Sequence, residues 1–321
     1  MNWRLAAVMT MILCVCVALP ATAADYTGKK VLFIDSYHEG YPWSDGITKG
    51  VRETLKGSGV TLEIIRMDTK RNTDEEFKKN AAAKAKGFID SFKPDVVIAA
   101  DDNASKYVIV PYFKNSNIPF VFCGLNWDAS NYGFPVSNVT GMVEVALIQQ
   151  VIDNLKEYAK GNRVGYLTSD VMTEHKEAEY YSKLLNVNFA AERYVKNLEE
   201  WKQAYVEIQN QVDLLIVGNN SGLNDWNEAE AAAWATANAK IPTGTTYDWM
   251  MPYSMLGLTK LADEQGIWSA TAALKILDGT PPSQIPVTKN QRADKFVNVK
   301  IASKAGIVFN PNIIKNAMVM K

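Results

Sequence analysis

Short apolar runs alternate with amphipathic stretches along this chain, and the whole alternation occurs twice. In the first series the apolar runs are 30–35, 61–67, 95–100 and 119–123. Each is short, rich in Val, Ile or Phe and bounded by turn residues, the pattern of a parallel strand buried on both faces. Between them, 44–56, 73–92 and 103–113 carry helical periodicity. Thr73 followed by Glu76 reads as a capping box. Gly59 and Pro94 punctuate the returns to strand.

The pattern then restarts, with strands predicted at 163–167, 188–195, 213–217 and 242–246 and helices at 171–185, 198–209 and 225–239. Two βαβ series of similar size predict an α/β protein with two doubly wound domains, each with a mainly parallel sheet. Residues 142–149 lie between the series and should contain the first crossing. A further strand at 255–259, a helix near 263–278, a break at Gly279-Thr280-Pro281-Pro282, a strand at 295–301 and a short helix after Pro311 are too little for a third domain. They are expected to return to the first two. The division predicted is 24–142 with 252–285 in lobe one, and 143–251 with 286–321 in lobe two.

In open α/β sheets, ligands bind just beyond the carboxyl ends of the strands. Lobe one offers Ser36, Tyr37 and His38 there, with Trp43 close behind, then Asp101, Asp102 and Asn103, then Asn126 and Trp127. Lobe two offers Ser169 and Asp170, then Asn219, Asn220 and Ser221, then Tyr247, Asp248 and Trp249. If the lobes face each other, these ends converge on one crevice. The candidate ligand-binding residues are Ser36, Tyr37, Trp43, Asp101, Asp102, Asn126, Ser169, Asn219, Asn220, Tyr247 and Asp248. Rings exclude water while hydroxyls, amides and carboxylates orient a small polar ligand. Asp102 and Asp248 would favour a positively charged group such as an ammonium.

Each candidate also has a plain structural reading. Asp102 or Asn103 can cap the following helix, as can Asp170 and Asp225. Tyr37, Tyr41 and Trp43 can pack a helix on its sheet. Asn219-Asn220-Ser221-Gly222 fits an ordinary βα turn. Cys123 lies in an apolar strand and reads as inert core. His175 sits among Glu174, Lys176 and Glu177 on a solvated helix face.

The familiar catalytic and nucleotide motifs are missing: no phosphate-binding Gly-rich loop, no dinucleotide fingerprint, no H-E-x-x-H and no G-x-S-x-G. Only His38 and His175 could act as near-neutral bases. No metal set or cofactor is expected from two distant histidines and one cysteine outside the N-terminal segment. Lys and Arg number 34 against 35 Asp and Glu, which argues against nucleic acid or anionic lipid as partner.

Residues 1–23 read as a signal peptide: Arg4, an apolar run over 5–19, then Ala21-Thr22-Ala23 as a cleavage site. The run is short for a membrane span of about 20 residues. A soluble mature protein in the periplasm is expected.

At several of these stretches the chain resembles the periplasmic substrate-binding proteins of ABC importers, type I fold, a branch similar to sensor domains of bacterial histidine kinases and diguanylate cyclases. The stretches are Ser36-Tyr37-His38-Glu39-Gly40-Tyr41-Pro42-Trp43-Ser44-Asp45, Met67-Asp68-Thr69-Lys70-Arg71, Asp101-Asp102-Asn103-Ala104, Phe122-Cys123-Gly124-Leu125-Asn126, and Val297-Asn298-Val299-Lys300-Ile301-Ala302 with Gly306. The resemblance implies two lobes joined by hinge strands and closing on a small organic ligand, an amino acid or other amine-bearing compound among the candidates. It implies a monomer that delivers this ligand to an ABC permease. The alternatives are a ligand-loaded partner of a membrane sensor, which would have to be a separate protein since the sequence carries no kinase, and a periplasmic enzyme using Asp101, Asp102 or His38.

Overall fold

Two parallel-dominated sheets carry the chain in the computed structural model, which describes residues 25–320. The expected signal peptide lies outside the described residues. The first sheet is built from β1 (Lys30–Asp35), β2 (Thr61–Arg66), β3 (Val96–Ala100), β4 (Phe120–Asn126), β5 (Val139–Glu144) and the short β11 (Thr288–Lys289). The second holds β6 (Val164–Ser169), β7 (Phe189–Val195), β8 (Leu214–Val217), β9 (Thr243–Thr245), β10 (Leu256–Lys260), β12 (Ala293–Asn298) and β13 (Met318–Met320). Their orders are β11-β5-β4-β3-β1-β2 and β13-β12-β10-β9-β8-β6-β7. Each core repeats the doubly wound 2-1-3-4-5 order, with its switch point beside the first strand. Among the named strands of the described residues, β10 and β12 alone pair antiparallel.

The helices of the first lobe are α1 (Pro42–Leu55), α2 (Glu75–Phe92) and α3 (Asp101–Ala104), which runs on as a wider π-helical stretch over Ser105–Phe113. The second lobe has α4 (Ile148–Lys156), α5 (Met172–Leu185), α6 (Leu198–Ile208) and α7 (Glu228–Asn238). Late in the chain come α8 (Ala262–Leu277), α9 (Val299–Lys304) and α10 (Pro311–Ile314). Central strands such as β1 and β3 are apolar throughout because both faces are covered. Val31 and Phe33 pack with Ile47 and Val51 on one side, Leu32 and Ile34 with Ile89 and Val108 on the other. In the second lobe Trp201 and Tyr205 anchor the core, with Trp226 and Tyr253 edge-on around Trp201.

The chain crosses between the sheets three times: at 145–147 after β5, at Leu261 after β10, and at 290–292 between β11 and β12. The second and third crossings fall later than the sequence division. Residues 256–260 pair with β9 in the second sheet, and 288–289 pair with β5 in the first. No Gly or Pro marks the second crossing, and only Asn290 marks the third; what decides is that α8, not β10, is the element packed on α1. That packing is close. A Cβ on Gly266 would collide with the Ile47 carbonyl, and one on Gly50 with the Asp263 carbonyl.

Other local expectations shift in the structure. α2 is capped by Asp74, whose side chain accepts from Phe77 N at 2.9 Å, not by Thr73. The strand predicted at 295–301 ends at Asn298, whose side chain caps α9 through Ile301 N. β5 lacks a separate prediction because Val139–Glu144 follows a Pro- and Gly-containing loop with little periodicity. α6 is capped by Asn197, whose side chain accepts from Glu200 N, and Asp225 accepts from Leu198 N beside it, while α7 takes Asn227. α5 has no side-chain cap; Asp170 instead pairs with His175 and Lys196. His175 stacks on Tyr194 with ring centroids 3.9 Å apart.

Candidate functional site

The carboxyl end of β1 is built around a buried carboxylate. Asp35 accepts from Tyr37 N at 2.9 Å and from Ser44 Oγ at 2.8 Å, with the Arg66 guanidinium 3.4 Å away. Burial raises its pKa against those partners. Ser36 ties the switch point together: its Oγ donates to Ala100 O at 2.5 Å and accepts from Ala104 N at 2.8 Å. These bonds consume Ser36 structurally. Tyr37 and Tyr41 meet edge to face, and the Lys70 ammonium lies 5.0 Å from each ring centre.

Asp101 follows β3 in a left-handed conformation, φ 67°, and is 1% exposed. Its Oδ1 accepts the Trp43 indole N–H at 3.0 Å, while Oδ2 has no hydrogen-bond partner. Burial, then the neighbouring Glu144 and Asp35, push its carboxyl well above the usual range. Asp102 has both oxygens engaged within its own lobe, Oδ2 by Asn126 Nδ2 at 2.7 Å and Oδ1 by Tyr132 OH at 2.6 Å. The helix-cap reading of Asp102 therefore fails. Its carboxylate holds Asn126 in place. Asn126 itself is turned by an irregularity in β4: the pairing with β5 slips between Phe122 and Leu125, at Gly124, φ 63°.

Across the gap, Tyr247 donates to Glu177 Oε2 at 2.6 Å, and Tyr181 donates to Glu177 Oε1 at 2.6 Å. Burial still raises the Glu177 pKa. Tyr247 also packs against Trp249, ring centres 4.7 Å apart. Asp248 is exposed and its Oδ1 accepts from Trp249 N.

A cavity of about 420 Å³ lies where the two sets of strand ends meet. Lobe one contributes Trp43, Asn126 and Trp127; lobe two contributes Glu177, Tyr247, Asp248 and Trp249; the crossings and β10 contribute Ala146, Leu147 and Lys260. Two contacts join the lobes around it. Trp127 packs on Tyr180 of α5 at 4.5 Å between centroids, and the Lys260 ammonium pairs with Glu144. Lys260 also lies 5.4 Å from the centre of the Trp43 ring. Burial opposes the Lys260 charge, but Glu144 outweighs it and the pKa stands above the usual lysine value. Two larger grooves, about 530 and 600 Å³, each lie within one lobe.

Of the sequence candidates, Trp43, Asn126, Tyr247 and Asp248 line this cavity, with Asp101 and Asp102 directly behind them and Tyr37 close to Asp101. Ser169 is buried, and its N–H bonds to Asn219 O. Asn219 folds its side chain onto Ser221 as a local turn, and Asn220 receives Leu223 N on its carbonyl. None of these three lines the cavity. Sequence reasoning missed Glu144, Glu177 and Lys260. Lys260 and Glu144 are the charged last residues of β10 and β5, and that was their available signal. Glu177 sits mid-helix, with nothing local to mark it.

Among the described residues no helix is long and apolar enough to cross a membrane, and no group of three His, Cys, Asp or Glu is placed to hold a metal ion. A family model described as ABC transporter substrate binding protein matches residues 40–321. No curated protein sequence matches the chain. Among solved structures, a ligand-free, open substrate binding protein with adhesive properties from Clostridium difficile is 18% identical, with TM-score 0.67, over 91% of this chain and 99% of that one. An ABC domain in complex with L-Trp from Streptococcus pneumonia is 17% identical, with TM-score 0.50, over 91% and 99%. A periplasmic ribose ABC transporter protein from Conexibacter woesei is 15% identical, with TM-score 0.53, over 89% and 98%. The shared fold is that of type I periplasmic binding proteins.

Proposed function

The chain belongs to the ABC transporter substrate-binding protein family, and from that premise we propose that it captures a small organic, amine-bearing ligand between its lobes and delivers it to an ABC permease. The observation that carries the reading is the cavity itself. Its walls come from both lobes and combine four aromatic rings with oriented polar groups, as a small-molecule site requires. No His is among its lining residues, and its Lys260 and Glu177 are held by Glu144 and by Tyr181 and Tyr247, an arrangement that supports capture.

The mechanism is hinge closure. A ligand that touches Trp43 and Asn126 on one side and Tyr247 and Trp249 on the other makes its full set of contacts only when the lobes approach. Its differential affinity then shifts the population toward the closed form. Side chains satisfy the backbone of the crossings. Asn290 accepts from Val145 N at 2.7 Å and donates to Val145 O at 3.1 Å, linking the first and third crossings. Glu264 accepts from the N–H groups of Gln291 and Arg292. The signal-like residues 1–23 support an extracytoplasmic, periplasmic site of action.

Mass spectrometry of small molecules released on denaturing the freshly purified protein tests capture. One organic compound near one equivalent is expected. Absence of any compound, even after incubation with extract of the producing cells, contradicts the reading.

A further inference from the structure

Building on the cavity's role as a capture site, we infer that its ligand carries net positive charge, and that neutral zwitterions, sugars and acids are poor ligands. Three carboxylates line the cavity: Glu177, Asp248 and Asp294. The one cationic group in the lining, Lys260, is already paired with Glu144. Neither Asp248 nor Asp294 lies within ion-pairing distance of a Lys, Arg or His among the described residues. A second tier of acidic side chains stands behind the walls. Asp101 backs Trp43 with one buried oxygen that has no hydrogen-bond partner, and Asp102 backs Asn126. Arg66 and Lys70 are occupied elsewhere, by Asp35 and by the Tyr37 and Tyr41 rings.

The walls between these charges are the faces of Trp43, Trp127, Tyr247 and Trp249. Aromatic faces attract cations, most strongly where water is excluded. The chain already shows this at Trp43, over whose ring Glu144 positions the Lys260 ammonium. A ligand ammonium or guanidinium entering the cavity meets the open Asp248 and Asp294 carboxylates, the tyrosine-held Glu177 and ring faces of the same preference. A ligand carboxylate meets the opposite field. Apart from the Lys260 ammonium, already paired with Glu144, the side-chain donors among the lining residues are neutral: the Thr246 and Thr259 hydroxyls, the Asn126 amide and the Trp127 and Trp249 indoles. The start of α4 at Leu147, without a side-chain cap, adds its first N–H groups. A helix end amounts to about half a charge, against three carboxylates. An α-carboxylate is therefore tolerated only on a ligand whose other groups leave it net positive.

Matched compounds test the inference by calorimetry and thermal shift on the mature protein. The series are tryptamine, L-tryptophan and indole-3-propionate; phenethylamine, L-phenylalanine and 3-phenylpropionate; and agmatine, L-arginine and L-citrulline. The cationic member should bind at least tenfold tighter than the zwitterion in every series that binds, and the acids should not bind. The Asp248→Asn, Asp294→Asn double variant should shrink that ratio severalfold while keeping the melting temperature, because both residues are exposed. A ratio the double variant leaves unchanged overturns the inference, as do a zwitterion or acid binding as tightly as its cationic partner and a series panel in which no cationic compound binds. Those results leave the capture reading standing if a neutral or anionic compound is released from the purified protein. Failure of both the panel and the release experiment removes the capture reading as well.

Discussion

The Lys260 ammonium at the end of β10 is paired with the Glu144 carboxylate at the end of β5, so one ion pair joins the two sheets where each strand gives way to a crossing. Glu144 is 7% exposed, and burial raises its carboxyl while Lys260 draws it down. Removing one partner strands the other charge. Lys260→Met should cost about 2 kcal/mol, below the roughly 3–5 kcal/mol of a fully buried pair because Lys260 keeps part of its side chain in solvent. The double change with Glu144→Gln should recover most of the loss in urea unfolding. Equal destabilisation by single and double variants would show that the pair contributes packing only.

Asp101 should make the protein less stable at neutral pH than its amide counterpart. A carboxyl whose folded pKa is raised contributes most below its unfolded value near 3.8, and that contribution is lost as pH rises through the folded pKa. Asp101→Asn keeps the acceptor for the Trp43 N–H, puts an NH₂ group at the partnerless oxygen, and suits the left-handed backbone. Its melting temperature should exceed wild type at pH 7–8. The gap should close toward pH 4. A variant equally or less stable at pH 8 would sink the argument.

Trp127 and Tyr180 are the aromatic contact between the lobes. Such a pair is worth about 0.5–1.5 kcal/mol beyond area burial, available only when the lobes meet. Trp127→Ala should weaken binding of the co-purified ligand by about two- to tenfold, mainly through faster dissociation. Stopped-flow release rates are the check; an unchanged off-rate rules out a closing role.

Gly266 lets α8 approach α1 until only hydrogen fits beside the Ile47 carbonyl. Gly266→Ala should destabilise by about 1–3 kcal/mol, the usual cost of overpacking a tight contact. Thermal unfolding near the wild-type temperature would mean that the helices separate freely.

The two-lobed plan was legible because buried parallel strands write themselves as short apolar runs, and βα returns carry Gly, Pro and Asn. Trp43, Asn126, Tyr247 and Asp248 were legible because strand ends point at the crevice. The late crossings were not, since β10 reads the same whichever sheet it joins. Ser169, Asn219 and Asn220 mislead because polar residues at a strand end serve turns as readily as ligands. Glu177 was invisible because its role comes from Tyr181 and Tyr247, four and seventy positions away.

The central claim is capture in the cavity between Trp43 and Tyr247. Native mass spectrometry of the freshly purified mature protein, alongside the Trp43→Ala, Tyr247→Ala double variant, tests it most directly. Wild type should carry one non-covalent organic adduct per chain, and the folded double variant should carry none. The same adduct at the same occupancy in both proteins would contradict the account.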